Sequence, residues 1–204
     1  MTIPPAHGQS INQIIANRAK TALPWYIIRA SGIIAAVFLF LLILSGVGLI
    51  TGYSFKFLDP LNAWATHKAM GIAFAVSVTI HGIAILSDKY VPFSITQVFI
   101  PFTSSYRPLK LFGYSFGSLG VVFGILSFYL LLAIILSSFL LISKKPHTWK
   151  SFHLLAYLVL VLVFFHALMI GTDLASGIFR VVWIVAGIGL LLAIFYRLTI
   201  VKKI

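Results

Sequence analysis

The sequence predicts an all-α fold, a polytopic membrane helix bundle of about five transmembrane helices. Of its 204 residues, 61% are hydrophobic and only 9% charged. A soluble domain carries about 25% charged residues, so this chain has too little polar surface to cover a globule in water. Five apolar runs reach the ~18 residues that a bilayer core demands of a helix. Most of the 15 Lys and Arg residues flank those runs, as membrane-bordering charges do. A net charge of +12 would suggest nucleic acid only if a soluble fold presented it as a basic patch. The expected partner is the lipid bilayer, with no nucleic acid. Three acids, Asp59, Asp88 and Asp173, argue against a carboxylate-driven hydrolase. The lack of cysteine excludes disulfides, thiolate catalysis and Cys-ligated clusters or zinc.

Residues 1–24 form a mixed, fairly polar N-terminal tail ending near Arg18 and Lys20, without the short apolar core and cleavage site of a signal peptide. Residues 25–200 form the membrane domain. Its helices are expected at Trp25–Ile50, His67–Ser87, Leu119–Ile142, Ser151–Gly171 and Ile178–Ile200. The segment 88–118 is the longest connection. Pro92, Pro101 and Pro108 interrupt helix there, and its aromatics (Phe93, Phe99, Phe102, Tyr106, Phe112, Tyr114) suit the headgroup region. The other connections are short, so neighbouring helices run antiparallel. Seven Lys and Arg fall on the side of the N-terminus and eight on the other, too even a division for the positive-inside rule to orient the chain.

An ionisable side chain inside a spanning helix is costly and marks a functional site by default. Of six histidines, His7 lies in the tail and His147 in the loop beside Pro146. The other four occupy two helices: His67 and His81 on the second, fourteen apart, and His153 and His166 on the fourth, thirteen apart. Both helices cross in the same direction, so His67 shares the depth of His153, and His81 that of His166. The two levels are roughly 20 Å apart at 1.5 Å rise per residue. Two imidazoles at equal depth on facing helices can supply both axial ligands of a haem iron, and two such levels would stack two haems across one bilayer. A redox cofactor also accounts for the missing cysteines and the few carboxylates. A single membrane histidine is more often a hydrogen-bond partner between helices, but two pairs at matching depths are hard to reach by chance. Zinc, the rival metal, asks for four ligands clustered together. Angular spacing brings a difficulty. At 100° per residue His81 returns to within about 40° of His67, whereas His166 falls about 140° from His153. Local overwinding toward 3₁₀ geometry would reduce that mismatch.

His67-x13-His81 with His153-x12-His166 resembles the four-histidine signature of the ferric-reductase-like transmembrane domain. That family includes the membrane cores of NADPH oxidases, fungal and plant ferric reductases, and the haem-binding membrane subunit of a bacterial methionine-sulfoxide-reductase system. Trp149-x-x-x-His153-x-x-x-Tyr157 is similar to the family's opening of the fourth helix. Trp25-Tyr-Ile-Ile-Arg29-Ala-Ser-Gly32, Tyr90-Val-Pro-Phe-Ser94 with Ser105-Tyr-Arg107-Pro108, and Gly171-Thr-Asp173 look like the short bacterial members. The resemblance covers about residues 25–200. It implies two b-type haems, one held by His67 and His153 and the other by His81 and His166, the first pair toward the cytoplasm, electrons flowing outward, and a cytoplasmic C-terminus in the cell membrane. Larger members have six helices and carry flavin and nicotinamide domains after the last. This sequence has no G-x-G-x-x-G after a strand, and Gly113, Gly117 and Gly120 have the wrong spacing. No flavin or NAD(P)H site is expected, so a separate donor is required, a cytoplasmic reductase or quinol. The acceptor would be a ferric chelate, oxygen or a partner protein. The chain would then be a haem-based transmembrane reductase or its membrane subunit. Two other classes compete: a haem- or metal-binding sensor or carrier without turnover, and a transporter-like bundle whose histidines relay protons.

Haem propionates are anions that an arginine fork suits. On the His81/His166 side Arg29, Arg107 and Arg180 are candidates, with Arg29 first because it lies about one turn inside an apolar helix; snorkelling to the interface is the competing reading. Lys68 and Lys150 fill that place on the other side, with interfacial anchoring the plainer role. Gly46, Gly71 and Gly82 would let a flat macrocycle approach the backbone or simply let helices touch. Phe74, midway between His67 and His81, is more simply a packing residue. Tyr157 is expected to find a polar partner inside the bundle. Asp173 is expected to cap the following helix or pair with Arg180, more than to bind a cation or shuttle a proton.

Overall fold

A computed structural model describes residues 11–111 and 114–201; His7, Phe112, Gly113, Lys202 and Lys203 lie outside them. The chain folds into helices α1 (Ile11–Thr51), α2 (Pro60–Ser87), α3 (Ile95–Phe99), α4 (Leu119–Leu140), α5 (Pro146–Leu154), α6 (Ala156–Ile170) and α7 (Ile178–Val201). Two short strands, β1 (Leu109–Leu111) and β2 (Tyr114–Phe116), pair as an antiparallel hairpin with Lys110 opposite Ser115. Five helical segments are long and apolar enough to cross a membrane: Ala19–Thr51, Pro60–Ser87, Leu119–Leu140, Pro146–Ile170 and Ile178–Thr199. All five turn large apolar side chains outward, for example Ile33, Ile83, Phe139, Phe165 and Leu192. That is the surface of a protein solvated by lipid rather than water.

Three boundaries differ from the expected ones, each for a local reason. Helix α1 begins at Ile11 and runs through Pro24, so the expected tail is helical from that residue onward. A proline removes one N–H from the helix ladder, and the surrounding ladder carries the helix past it. Helix α2 starts at Pro60, seven residues before His67, because Asp59 caps it: its carboxylate accepts the Asn62 N–H at 3.1 Å, and Pro60 fills the first helical position at no cost in hydrogen bonds. That capping holds the exposed Asp59 carboxyl below the usual carboxylate range. The fourth span is two helices with a break at Leu155.

The long connection is folded. Buried Asp88 accepts the N–H groups of Tyr90 (3.2 Å) and Val91 (3.3 Å). Ser94 and Gln97 close a capping box on α3. The Tyr129 hydroxyl donates to the Phe99 carbonyl at 2.8 Å, tying the segment to α4. Helix α1 packs along α2, α4 along α6, and α7 against α1. Their shared core comprises Ala35, Leu39 and Ile43 of α1, Phe74 of α2, Leu131 and Ile134 of α4, Val159 and Leu160 of α6, and Leu190 of α7. Phe74 is therefore a core residue at mid-depth.

Candidate functional site

The four membrane histidines meet as two pairs. The rings of His67 and His153 have centres 6.1 Å apart with planes at 54°; those of His81 and His166 are 6.4 Å apart at 79°. The pairing is the one that equal depth predicts. The awkward thirteen-residue spacing is eased at Leu155, whose N–H donates to the Phe152 carbonyl at 3.0 Å. This three-residue bond is a 3₁₀ turn, which advances about 120° per residue instead of 100°.

A metal between two imidazoles sets their separation. Two metal–nitrogen bonds of about 2 Å and two ring half-widths of about 1.2 Å ask for centres about 6.4 Å apart. Both pairs fit that figure. Rings packed edge to face also sit about 4.5–7 Å apart, so the nitrogens discriminate. In each of three rings Nδ1 is bonded: His67 to Ser45 Oγ at 2.7 Å, His81 to the Ile28 carbonyl at 2.9 Å, and His166 to the Gly120 carbonyl at 2.8 Å. A carbonyl only accepts, so Nδ1 of His81 and of His166 carries the proton and Nε2 keeps its lone pair. No hydrogen bond among the described residues uses Nε2 of any of the four. A backbone carbonyl fixing the far nitrogen is the usual companion of a metal-ligating histidine. The donor set and spacing thus fit a bis-histidine haem at the His81/His166 level, and the ring spacing fits one at the His67/His153 level. Among the described residues no group of three His, Cys, Asp or Glu forms.

His153 is held differently. Its Nδ1 is buried without a partner among the described residues, and Trp149 lies against its ring at 5.1 Å. The Trp149 indole N–H donates to Ser138 Oγ at 3.2 Å.

Glycines let the rings approach the backbone. A Cβ on Gly124 would come within 2.6 Å of His166 Cε1 and Nδ1, and one on Gly32 within 3.2 Å of the same atoms of His81. A Cβ on Gly46 would lie 3.6 Å from His67 Cε1. Gly32 and Gly46 stand fourteen apart on α1, the same spacing as His67 and His81 on the antiparallel α2. Of the glycines singled out in the sequence, Gly46 faces a histidine. Gly71 faces Leu42, and Gly82 faces open space.

The cations divide as follows. Arg29 stacks over Trp25 at 4.2 Å and forms a bidentate ion pair with Asp173, Nε to Oδ2 at 2.9 Å and Nη2 to Oδ1. Asp173 therefore pairs across the bundle with α1 and not with Arg180, which donates to the Leu174 and Ala175 carbonyls. Hydrogen bonding to Arg29 holds the Asp173 carboxyl below its ordinary value. Arg107 is exposed on the long connection with φ 48°, beside Tyr106. With Tyr106, Val91, Pro92 and Phe93 it lines a cavity of about 310 Å³, so the stretches 90–94 and 105–108 converge there. Lys68, Lys150 and His147 are exposed.

Residues not singled out as site residues in the sequence also face this machinery: Ser45, Gly32 and Gly124 contact the rings, and Ile28 and Gly120 lend carbonyls. A backbone carbonyl leaves no trace in residue identity. Arg197 is the other omission. It reads as a flanking charge, yet it is buried, and its Nη1 donates to the Tyr157 hydroxyl. Its position inside the last apolar run is the signal that could have found it. No family model, no curated protein and no solved structure matches this chain.

Proposed function

We propose that this chain carries electrons across a membrane through two b-type haems, one between His67 and His153 and one between His81 and His166, as a ferric-reductase-like subunit. The observation that carries this reading is the repeated pair: two sets of imidazoles at 6.1 and 6.4 Å, at two depths, with no protein partner on Nε2 among the described residues. When bound, haem supplies one-electron redox chemistry. The chain's own residues hold, orient and insulate. Ile28 and Gly120 keep Nδ1 protonated and the ring planes fixed. The apolar layer of Leu39, Ile43, Phe74, Leu131 and Val159 between the levels excludes water and keeps the local dielectric low. His67 with His153, and His81 with His166, would hold the iron from the protein side, and a haem so held would supply electron transfer rather than bond-making at the metal.

In this reading His67 and His153 face the cytoplasm of the cell membrane, where a reductase or quinol gives up electrons. His81 and His166 serve a ferric chelate, oxygen or a partner protein outside. The test is a reduced-minus-oxidised absorption spectrum of the purified chain, with haem counted. About two low-spin b-type haems per chain are expected. A single labile haem would favour a sensor or carrier. No haem under ample supply would refute the proposal and leave proton relay or packing for these histidines.

A further inference from the structure

Arg197 lies near the end of α7, on the side of the bundle that holds His67 and His153, and is only 4% exposed. Its guanidinium sits 5.3 Å from the Tyr157 ring centre, and Nη1 donates to the Tyr157 hydroxyl. Its Nε is buried and has no hydrogen-bond partner among the described residues. Arginine does not deprotonate in proteins, and a buried charge without a counter-charge is strongly disfavoured.

The chain has three carboxylate side chains in all, and each is engaged elsewhere. Asp59 caps α2. Asp88 accepts from Tyr90 and Val91. Asp173 is taken by Arg29. Among the described residues no acidic side chain neutralises Arg197. Tyr157 follows His153 by four residues on the same span, about 6 Å of rise, so the Arg197–Tyr157 couple stands one turn from a histidine of the inner pair. The two ends of the bundle thus differ. The outer arginine, Arg29, spends its fork on an internal carboxylate, whereas the inner one has a free donor.

We propose that Arg197, oriented by Tyr157, is a carboxylate-binding subsite of the inner histidine pair, taking a propionate of the haem held there; this rests on the haem reading above. Arg197 presents Nε and its remaining N–H groups to the carboxylate, and the Tyr157 hydroxyl fixes the plane of the fork.

The experiment reconstitutes haem-depleted protein, in detergent without anionic lipid, with haem or with its dimethyl ester, which keeps the macrocycle and removes both carboxylates. Wild type should favour free-acid haem, and Arg197→Met should lose roughly tenfold of that preference at one of two sites, the size of one charge-assisted hydrogen bond. Arg197→Met should also lower the midpoint potential of one haem, because a nearby cation favours the reduced, more negative form. Tyr157→Phe should show part of both effects. If Arg197→Met and wild type discriminate equally and both midpoints stay, the proposal is overturned and the anion is a lipid headgroup or another acid; the haem reading survives. If wild type takes up no haem, the haem reading falls and the subsite with it. Should Arg197→Met fail to fold, Arg197→Lys, which keeps the charge but not the fork, and the wild-type comparison of haem with its ester still decide. Equal affinity of wild type for the two forms refutes the subsite.

Discussion

Gly124 gives a perturbation that acts directly on a paired histidine. An alanine Cβ there would sit 2.6 Å from Cε1 and Nδ1 of His166, against 3.4 Å for the start of ordinary contact. The ring must retreat by about 0.8 Å, and a move of that size takes Nδ1 out of its 2.8 Å bond to the Gly120 carbonyl. Overpacking costs about 1–3 kcal/mol and the lost hydrogen bond about 0.5–1.5 kcal/mol. Alanine recovers about 1 kcal/mol as the better helix former, which leaves a net loss of about 0.5–3.5 kcal/mol. The assay is thermal unfolding in one detergent, with Gly46→Ala and Gly82→Ala as controls. At Gly46 the new methyl would meet His67 Cε1 at 3.6 Å, and at Gly82 it meets nothing within 4 Å. Gly46→Ala should be near neutral and Gly82→Ala neutral or stabilising by up to about 1 kcal/mol. Haem content should follow the same order, with Gly124→Ala alone losing the low-spin signal of one haem. A Gly124→Ala protein that melts at or above wild type and keeps two low-spin haems would refute the reasoning.

His81→Ala and His166→Ala should each remove the same haem, and His67→Ala and His153→Ala the other. Loss of both haems in any single variant, judged by haem per chain and redox titration, would contradict two independent sites. Asp173→Asn should abolish the ion pair with Arg29. The folded-state pKa of Asp173 lies below its unfolded value, so the stabilisation is fully present above the ordinary carboxylate range and disappears as pH falls through the depressed folded value. Melting temperature measured against pH should show wild type and Asp173→Asn converging at acid pH. At neutral pH the gap should be about 1 kcal/mol or less for a pair this exposed. Ser118, fully buried, accepts the Val121 N–H at 3.2 Å and caps α4; Ser118→Ala should cost about 0.5–2 kcal/mol, read by thermal melting.

Some features were legible because they depend on composition and period alone. An apolar run of membrane length has one stable solution in lipid, a helix whose polar backbone satisfies itself, so five runs announce five spans. Equal depth of His67 with His153, and of His81 with His166, follows from counting residues at 1.5 Å each along helices of known direction. Helix starts were less legible. The apolar count places α2 at His67, although Asp59-Pro60 marks its true beginning. Asp173 could be placed near Arg180 in sequence, but its partner Arg29 is 144 residues away.

The sequence by itself determined the class of protein, the number of spans and which four side chains are candidates to hold a cofactor, because hydrophobic length and helical rise are local properties of the chain. Only the tertiary structure decided how those side chains are held. The carbonyls of Ile28 and Gly120 that bond two rings, the glycine faces at 32 and 124 that admit them, and the overwound turn at Leu155 all arise where one helix meets another or departs from its ideal twist. The same holds for the charges. Whether an arginine near a helix end reaches water or lies buried beside a tyrosine depends on what packs over it, and residue identity does not record that. Arg29 and Arg197 look alike as letters near the ends of apolar runs, yet packing gives one an aspartate and leaves the other with a buried nitrogen that none of the described residues pairs.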